Sequence, residues 1–572
     1  MLKIFKQFWS ILDNNQKKGF LENILFSFIR TIVELFSIAM IIPLVSIFFF
    51  KKEIKFIKLD FFSDKLETLT KQEITIIFSL SFILLIILKN LISIYSEYKM
   101  NKYVLSLKSY FYSKLLNKFL HVNYLYFIKN TFTKVANVLT QDCGYISISY
   151  ARGVLILLTE LIILISILIL FFIFNYHIIF YVIFPIIFFA SICLKSVNRK
   201  VKKMSIERLD YNKILGKLHH EFFQAIKEIF LFRDSSKLES NLTNTHNSND
   251  KIEARLLTSY AFPRAILEVL AVIAMLCLLV VLFYKTDFQN PDILIMLSFT
   301  LAATYRAIPS LNKIFLNYQI MKTGEASIKN ILETLQLKKD RVYDVEEQIK
   351  ITFNNKITFK NLSFGYENRN KIFKEFNFTI KKGKIIGIFG DSGSGKSTLL
   401  NLITLLFRPQ NGEIIVDEKK IESLNDERAY QELFYYVSQD TFLYDDTIQK
   451  NIITSEEKNL DLEKIVEKVC LKNFIASLPD GIQTKIGFLS KSISNGQKQR
   501  IALARAFHSN RQILILDEAT NALDENTEKV IFSNLFTFKE KKTIICVSHN
   551  VENFKNCDEV YNLKNGKLFL VK

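Results

Sequence analysis

The sequence predicts an all-α membrane domain with six spanning helices, followed by a soluble α/β domain. The chain has 572 residues and is 49% hydrophobic, yet it carries a formal net charge of +19. Its apolar residues are concentrated in the first 320 positions. Beyond about residue 350, short β-like runs such as KIIGIF and ILILDE alternate with more polar segments, as in a soluble α/β fold.

Six apolar runs are long enough to cross a bilayer, which takes about 20 mostly apolar residues. They occupy residues 20–50, 74–98, 146–174, 177–195, 259–284 and 292–316. The preceding segment IFKQFWSILDN (4–14) is amphipathic, and we expect it to lie on the membrane surface as an elbow helix. We therefore divide the chain into a membrane domain (1–320), a linker (321–349) and a soluble domain (350–572).

The basic loops predict the orientation of these spans, because Lys and Arg favour the cytoplasmic side. Lys17 and Lys18 precede the first span, and the segments 99–145 and 196–258 are rich in Lys and Arg. Both termini and the soluble domain should therefore be cytoplasmic. The segment 51–73 would be an outer loop and carries six lysines with nearly as many acids, so we expect an amphipathic helix there. Basic loops are one source of the positive charge, and a composition biased towards Lys, Asn, Ile and Phe is the other. Six spans argue against a nucleic-acid partner.

The stretch GDSGSGKS fits the pattern G-x-x-x-x-G-K-S, between the β-like run KIIGIF and the run TLLNLI. In such a strand–loop–helix context, backbone N–H groups cradle phosphates at a helix N-terminus. Lys396 would reach the β and γ phosphates of ATP, and Ser397 would hold Mg²⁺. The motif predicts a P-loop NTPase domain. Its expected nucleotide-binding residues are Gly390, Asp391, Ser392, Gly393, Ser394, Gly395, Lys396, Ser397 and Thr398.

A second acidic element supports this assignment. In ILILDE, four apolar residues predict a buried parallel strand that ends at Asp517 and Glu518. Asp517 would bind Mg²⁺, and Glu518 would polarise the water that attacks ATP.

The stretch ISNGQKQR resembles the signature L-S-G-G-Q of the ABC transporter ATPases. The resemblance implies that Tyr366 in SFGY stacks on adenine and that Gln439 in YVSQD contacts Mg²⁺ and the membrane domain. It also makes NALD (521–524) the D-loop and His549 in VSHN the γ-phosphate histidine. The implied catalytic residues are Glu518, His549, Gln439 and Lys396.

Several positions depart from the family pattern. Asn495 replaces the first signature glycine, Ile493 a leucine, Asn521 a common serine, and Phe488 a glutamate typical of exporters. A slow, degenerate ATPase is the alternative, but the catalytic residues are all present.

One such chain is half of a transporter by this resemblance. Its ATP would lie between the P-loop of one copy and Ser494, Gly496 and Gln497 of another. A homodimer is therefore the expected partner arrangement, and a heterodimer stays open.

Several cations lie inside the apolar runs, and they are candidates to bind a transported molecule. Arg306 and Lys313 lie seven residues apart in LAATYRAIPSLNKIFL, and neither has an acid one turn away; the same holds for Lys89. Arg264 can pair with Glu268, and similarly Arg30 with Glu34. A lysine at a span's cytoplasmic end can also reach lipid head groups. A basic cavity lined by Lys89, Arg264, Arg306 and Lys313 would suit an anionic cargo.

The membrane half resembles bacterial lipid-linked oligosaccharide flippases of the PglK type. The resemblance rests on SFIRTIVELFSIAMIIPLVSIF, YFIKNTFTKVANVLTQD, TSYAFPRAILE and YRAIPSLNKI. It implies ATP-driven flipping of a polyprenyl-pyrophosphate-linked oligosaccharide to the outer leaflet of a bacterial inner membrane, for glycoprotein or O-antigen assembly. The alternatives are an exporter of another lipid (lipid A type), a drug or a peptide, and a non-transporting ATP-binding regulator.

Overall fold

The computed structural model divides the chain into two units. One comprises residues 1–119 and 132–337, and the other comprises residues 120–131 and 338–572. The described residues are 2–49, 70–173, 199–232 apart from 202, 205 and 209, 236–285, 291–337, 350–366, 371–453, 461–487, 493–538, 541–549 and 551–572. The expected fourth span (177–195), most of the segment 51–73, and Phe488 lie outside them.

The first unit is helical. Its helices are α1 (Leu2–Ile11), α2 (Asn14–Ala39), α3 (Ile41–Phe49), α4 (Lys71–Leu120), α6 (Phe132–Asn137), α7 (Arg152–Ile173), α8 (Ile226–Phe232), α9 (Ser236–Lys285) and α10 (Pro291–Gln336), with π-helical turns at Val138–Asp142 and Tyr145–Ala151. Helix α5 (Tyr124–Lys129) belongs to the second unit.

Four stretches among the described residues are helical, long and apolar enough to cross a membrane. They are Asn14–Val45, Gln72–Leu120, Lys134–Ile173 and Ser236–Cys277. These overlap the expected first, second, third and fifth spans. The expected sixth span lies in α10, and this helix continues to Gln336, within the segment assigned to the linker.

Helix α2 buries polar residues and exposes apolar ones. Its buried side chains at helical spacing include Asn23, Ser27, Thr31, Glu34 and Ser37. Leu21, Leu25, Phe28, Ile32 and Phe36 are exposed instead. Lipid tails are as apolar as leucine, so polar contacts and close packing hold membrane helices together. One such contact joins two helices, because the Thr159 hydroxyl of α7 donates to Ser27 Oγ at 2.7 Å.

Apolar and small residues complete the packing of α7 against α10. The rings of Phe171 and Phe299 meet edge to face at 5.1 Å. Gly324 of α10 lies against the π-helical turn before α7. A β-carbon there would lie 2.9 Å from the Tyr145 carbonyl oxygen and 3.1 Å from Tyr150 Cβ. Glycine at this position therefore allows the two backbones to approach.

The second unit is an α/β domain with two main sheets. Its strands are β1 (Lys356–Phe364), β2 (Phe373–Lys381), β3 (Ile385–Phe389), β4 (Asn411–Val416), β5 (Lys419–Lys420), β6 (Phe434–Val437), β7 (Asp446–Thr447), β8 (Lys485–Ile486), β9 (Ile513–Asp517), β10 (Thr543–Val547), β11 (Glu559–Lys564) and β12 (Lys567–Leu570). The larger sheet has the order β12-β11-β3-β10-β9-β6, and the other has the order β2-β1-β4-β5. In the larger sheet only β12 is antiparallel to its neighbour.

Helices cover these sheets and fix the loops between strands. They are α11 (Lys396–Ile403), α12 (Leu424–Gln431), α13 (Ile448–Ile452), α14 (Leu462–Lys468), α15 (Lys472–Ala476), α16 (Asn495–His508) and α17 (Glu525–Phe536). Every residue of β9 and β10 is buried, as expected of central parallel strands with both faces covered.

Helix α5 packs on the second unit, to which residues 120–131 belong. Asn123 caps the helix by accepting a hydrogen bond from the Leu125 N–H at 3.0 Å. The Tyr124 ring stacks on Phe407 with the centroids 6.2 Å apart, and Leu125 packs against the core of the domain. Residues 120–131, which connect two helices of the first unit in the chain, therefore belong to the second unit.

We expect Gly324→Ala to destabilise the chain, because overpacking typically costs about 1–3 kcal/mol. Gly216, also helical, has no atom within 4 Å of an added β-carbon. Gly216→Ala should therefore be neutral or stabilising, since glycine costs roughly 1 kcal/mol within a helix. Thermal unfolding of the full chain in detergent compares the two. A Gly324→Ala midpoint at or above that of the wild type would contradict the close packing.

Candidate functional site

The loop between β3 and α11 has the backbone of a phosphate cradle. Gly393 and Gly395 have φ angles of +80° and +100°, which favour glycine. At Gly390, a β-carbon would lie 2.5 Å from the Leu563 carbonyl oxygen, so only glycine fits. The Ser394 hydroxyl is buried and has no hydrogen-bond partner among the described residues. These features fit a loop that wraps an anion.

Lys396 occupies the first turn of α11 and is buried. Its ammonium group donates to the carbonyl oxygens of Gly390 at 2.8 Å and Asp391 at 3.1 Å. The lysine of the expected phosphate site is therefore held over its own loop, where phosphate oxygens would meet it.

The parallel sheet brings the other candidate residues to the same edge. Strands β3, β10, β9 and β6 are adjacent and parallel, so their carboxyl ends meet. The phosphate loop follows β3, His549 follows β10, Asp517 ends β9, and Gln439 follows β6. Ligands of open α/β sheets bind at this edge.

Three side chains converge on the Glu518 carboxylate. The amides of Gln439 and Asn521 each donate to Glu518 Oε2 at 2.8 Å. The His549 Nε2 atom lies 2.7 Å from Oε1. Glu518 itself has a φ of +51°, a backbone region that costs energy for a non-glycine residue and is common at functional sites. The structure thus brings together three of the four expected catalytic residues.

Asp517 is buried beside this carboxylate. Burial raises the pKa of the Asp517 carboxyl above its ordinary value, and the Glu518 charge acts in the same direction. The Tyr436 hydroxyl opposes the shift by donating to Asp517 Oδ2 at 2.6 Å. A cation beside Asp517 would favour its charged form.

The donor set of the expected metal site fits Mg²⁺. Ser397 offers a hydroxyl, Gln439 an amide oxygen and Asp517 a carboxylate, and Mg²⁺ prefers oxygen ligands completed by water and phosphate. Bound there, Mg²⁺ would neutralise charge on the phosphates.

Tyr366 lies beside the phosphate loop. Its hydroxyl is 3.3 Å from Thr398 Oγ1, and its ring packs edge to face on Phe364 and Phe407. Adenine is expected to stack on the Tyr366 ring.

The signature segment opens α16 and is internally bonded. Ser494 and Gln497 form a capping box, in which each side chain accepts a hydrogen bond from the other's backbone N–H. Asn495 lies in the first turn of α16, so its replacement of glycine requires no left-handed backbone. A β-carbon at Gly496 would lie 2.8 Å from the Ala522 carbonyl oxygen, which packs the signature directly against NALD. In the described parts of 390–398 and 494–497, no hydrogen bond joins the two segments.

Arg306, expected to bind substrate, lies in a buried charge cluster of the first unit. Its guanidinium pairs with both oxygens of Glu34 from α2 and with Glu160 Oε2 from α7 at 3.2 Å. Glu34 therefore pairs across helices with Arg306 rather than with Arg30 one turn away. Ser310 bridges the cluster by donating to Glu160 at 2.7 Å.

The other three expected substrate residues have different surroundings. Lys313 Nζ lies 3.2 Å from Glu160 Oε1. Arg264 pairs with Glu268 on the same helix at 2.8 Å, as expected. Lys89 has no ion-pair partner in the described part of the chain. The structure thus brings Arg306 and Lys313 together on Glu160 and shows no contact of Lys89 or Arg264 with them.

Sequence reasoning did not place four residues in these sites. Asn521, expected only as part of the D-loop, and Tyr436 lie beside the expected catalytic carboxylates. Glu34, expected to pair with Arg30, and Glu160 lie in the charge cluster. Asn521 had a signal, because it departs from the usual serine of its motif. Acids inside apolar spans are also a signal, since they normally have partners.

Comparisons with known families agree with this geometry. The family described as ABC transporter matches residues 373–521, and the family described as ABC transporter transmembrane region matches residues 20–306.

Individual relatives match much of the chain. A probable ABC transporter ATP-binding/permease protein of Haemophilus influenzae is 31% identical over 63% of this chain, which spans 65% of that relative. An ATP-dependent lipid A-core flippase 2 of Colwellia psychrerythraea is 28% identical over 79% of this chain and 77% of its own length.

A solved structure confirms the fold class. It is a bacterial Atm1-family ABC exporter with ATP bound, with a TM-score of 0.74 and 19% identity, and the match covers 97% of this chain and 95% of that one. At this identity the likeness shows the fold alone.

We expect Tyr366→Ala to weaken ATP binding about tenfold, because stacking of a base on an aromatic ring contributes about 1–3 kcal/mol. Tyr366→Phe keeps the ring and loses only the contact with Thr398, so its affinity should stay within about twofold of the wild type. Titration of the full chain with a fluorescent ATP analogue compares the variants. Equal affinity of all three proteins would place adenine elsewhere.

Proposed function

We propose that this chain, which belongs to the ABC transporter family, uses ATP hydrolysis to move a lipid with a phosphate-bearing head group between the leaflets of a bacterial inner membrane. The observation that carries the ATPase part is the convergence of Gln439, Asn521 and His549 on Glu518 beside the phosphate loop. Both termini would be cytoplasmic, as the basic loops predict.

In this proposal, binding of ATP changes the contacts of Lys396 and Glu518. Lys396 leaves the carbonyl oxygens of its own loop and pairs with the β and γ phosphates. Glu518 accepts a hydrogen bond and then a proton from the attacking water. Oε2 accepts from Gln439 and Asn521, whereas Oε1 contacts only His549 among these three residues, so Oε1 has capacity left for the water. Release of His549 towards the γ phosphate would free Oε1 further.

A second copy of the chain would complete the site. The signature helix α16 begins with backbone N–H groups that suit an anion, and Ser494 and Gln497 cap it. In the proposed homodimer, Ser494, Gly496 and Gln497 of one copy face the nucleotide of the other.

Two observations support a phosphate-bearing lipid as the cargo: the name of a relative and the charge cluster of the first unit. The Colwellia psychrerythraea relative is named for flipping lipid A-core and matches 79% of this chain. A drug exporter would more typically have an apolar and aromatic cavity, whereas α2, α7 and α10 turn Glu34, Glu160, Arg306 and Lys313 towards one another. We therefore favour a lipid A type of cargo.

A polyprenyl-pyrophosphate-linked oligosaccharide is the second candidate. It is favoured by the resemblance of YRAIPSLNKI and three other segments to flippases of such lipids. Both cargoes present phosphate to the protein, so parallel assays must choose between them.

We expect Glu518→Gln to abolish both ATP hydrolysis and lipid movement, because a positioned general base contributes about 10²–10⁴-fold to rate. The assay uses the full chain in liposomes that contain lipid A or a polyprenyl-pyrophosphate-linked oligosaccharide. It follows the ATP-dependent loss of the lipid from one leaflet.

Glu413→Gln is the matched control, because Glu413 forms an exposed ion pair with Lys420 away from the site. It should hydrolyse ATP and move lipid at wild-type rates. Hydrolysis without movement of either lipid would overturn the cargo assignment while leaving the ATPase intact.

A further inference from the structure

Arg306 uses four of its five N–H donors within the charge cluster. Its Nε and Nη2 atoms bind both oxygens of Glu34, Nη2 also reaches Glu160, and Nη1 donates to Ser310 Oγ at 2.5 Å. The side chain of Arg306 is 14% exposed and that of Glu160 is 2% exposed. A guanidinium with every nitrogen bonded holds α10 to α2 and α7 and has little capacity left for a ligand.

Lys313 differs from Arg306 although it lies two turns away on the same helix. Its side chain is 49% exposed, and its single ion-pair partner in the described part of the chain is Glu160. An ammonium group has three N–H donors, so Lys313 can offer donors to a ligand that reaches it.

Glu160 joins these two cations. Its Oε2 atom accepts from Ser310 and Arg306, and its Oε1 atom faces only Lys313 in the described residues. An anion that binds Lys313 would therefore share the ammonium group with Oε1, and the negative charge of Glu160 would oppose its binding. If Lys313 turned away, Glu160 would keep its hydrogen bonds from Arg306 and Ser310, so the buried carboxylate would still have partners.

We propose that Glu160 is an internal competitor for the head-group phosphate, that Lys313 is the cation that receives this phosphate, and that Arg306 is a positioning residue. The inference rests on the proposed function, because it takes the cargo to be a phosphate-bearing lipid. Glu160 then limits the affinity of the site. A transporter has to release its cargo, and a competing carboxylate weakens the bound state without removing selectivity for anions.

The test measures equilibrium binding without ATP. The full chain is placed in phosphatidylcholine nanodiscs and titrated with lipid A, and separately with undecaprenyl pyrophosphate. Glu160→Gln should bind the lipid three- to tenfold more tightly than the wild type, because the competing charge is gone. Lys313→Gln should bind at least tenfold more weakly. The double variant should match Lys313→Gln, since Glu160 acts through Lys313.

Glu333→Gln is the matched control. It removes one negative charge from the same unit, where Glu333 forms an exposed ion pair with Lys329 on α10 and neither residue is expected to bind cargo. Its affinity should stay within twofold of the wild type, and an equal gain from Glu333→Gln would overturn the inference by making the effect one of net charge.

Two further outcomes separate the inference from the proposed function. Failure of the wild type to bind either lipid would overturn the proposed cargo. Binding by the wild type that is unchanged in Lys313→Gln would overturn the inference alone. Lys313 is half exposed, so this variant tests the proposal even if Glu160→Gln does not fold.

Discussion

The pairing of Arg306 with Glu34 and Glu160 is the constraint on which the first unit depends. A cation inside apolar helices costs several kcal/mol unless it is partnered. Here the partners come from two other helices, so the charge that would destabilise α10 alone fixes its position against α2 and α7. Another buried polar residue of α2 also contacts a neighbouring helix. Ser27 accepts a hydrogen bond from Thr159 of α7, whereas leucine and phenylalanine side chains of α2 are exposed. Loss of Glu34 would leave Arg306 and Lys313 to share Glu160, and an unbalanced buried charge is costlier than removal of a whole ion pair.

The second unit meets a comparable constraint at the edge of its parallel sheet. Asp517 and Glu518 are adjacent, buried carboxyl groups, and the backbone of Glu518 is in a left-handed conformation. Gln439, Asn521 and His549 come from three different loops and hold one carboxylate between them. The sheet fixes the ends of β6, β9 and β10, so these loops converge without a compact motif in the sequence. Under the proposed function, such a site would respond to nucleotide by an exchange of hydrogen-bond partners among residues that are already in place.

The sequence predicted the parts of the site that lie within short segments. The loop 390–397 and the pair Asp517 and Glu518 carry their chemistry in adjacent residues, and the structure has them after strands as expected. Partners distant in the chain could not be predicted in the same way. Glu34 and Arg306 are 272 residues apart, and Arg306 and Glu160 are 146 apart. Local reasoning paired Glu34 with Arg30, but the buried face of α2 directs Glu34 to α10.

The apolar runs predicted the helices of the first unit. They did not predict that α10 continues to Gln336, because its last turns are more polar than the span before them.

The two cations of α10 illustrate why charge alone does not identify a binding residue. From the sequence, both Arg306 and Lys313 were expected to bind the cargo, because each interrupts an apolar run and lacks a neighbouring acid. In the structure their free hydrogen-bonding capacity differs. Arg306 is forked onto Glu34, and a planar guanidinium suits such fixed bidentate pairing. Lys313 is a flexible point charge with one partner and half of its surface accessible. Structural support and ligand exchange make opposite demands on a cation, because one needs saturated contacts and the other needs contacts that a phosphate can replace. Seven residues of helix are enough to separate the two roles while Glu160 keeps them electrostatically linked.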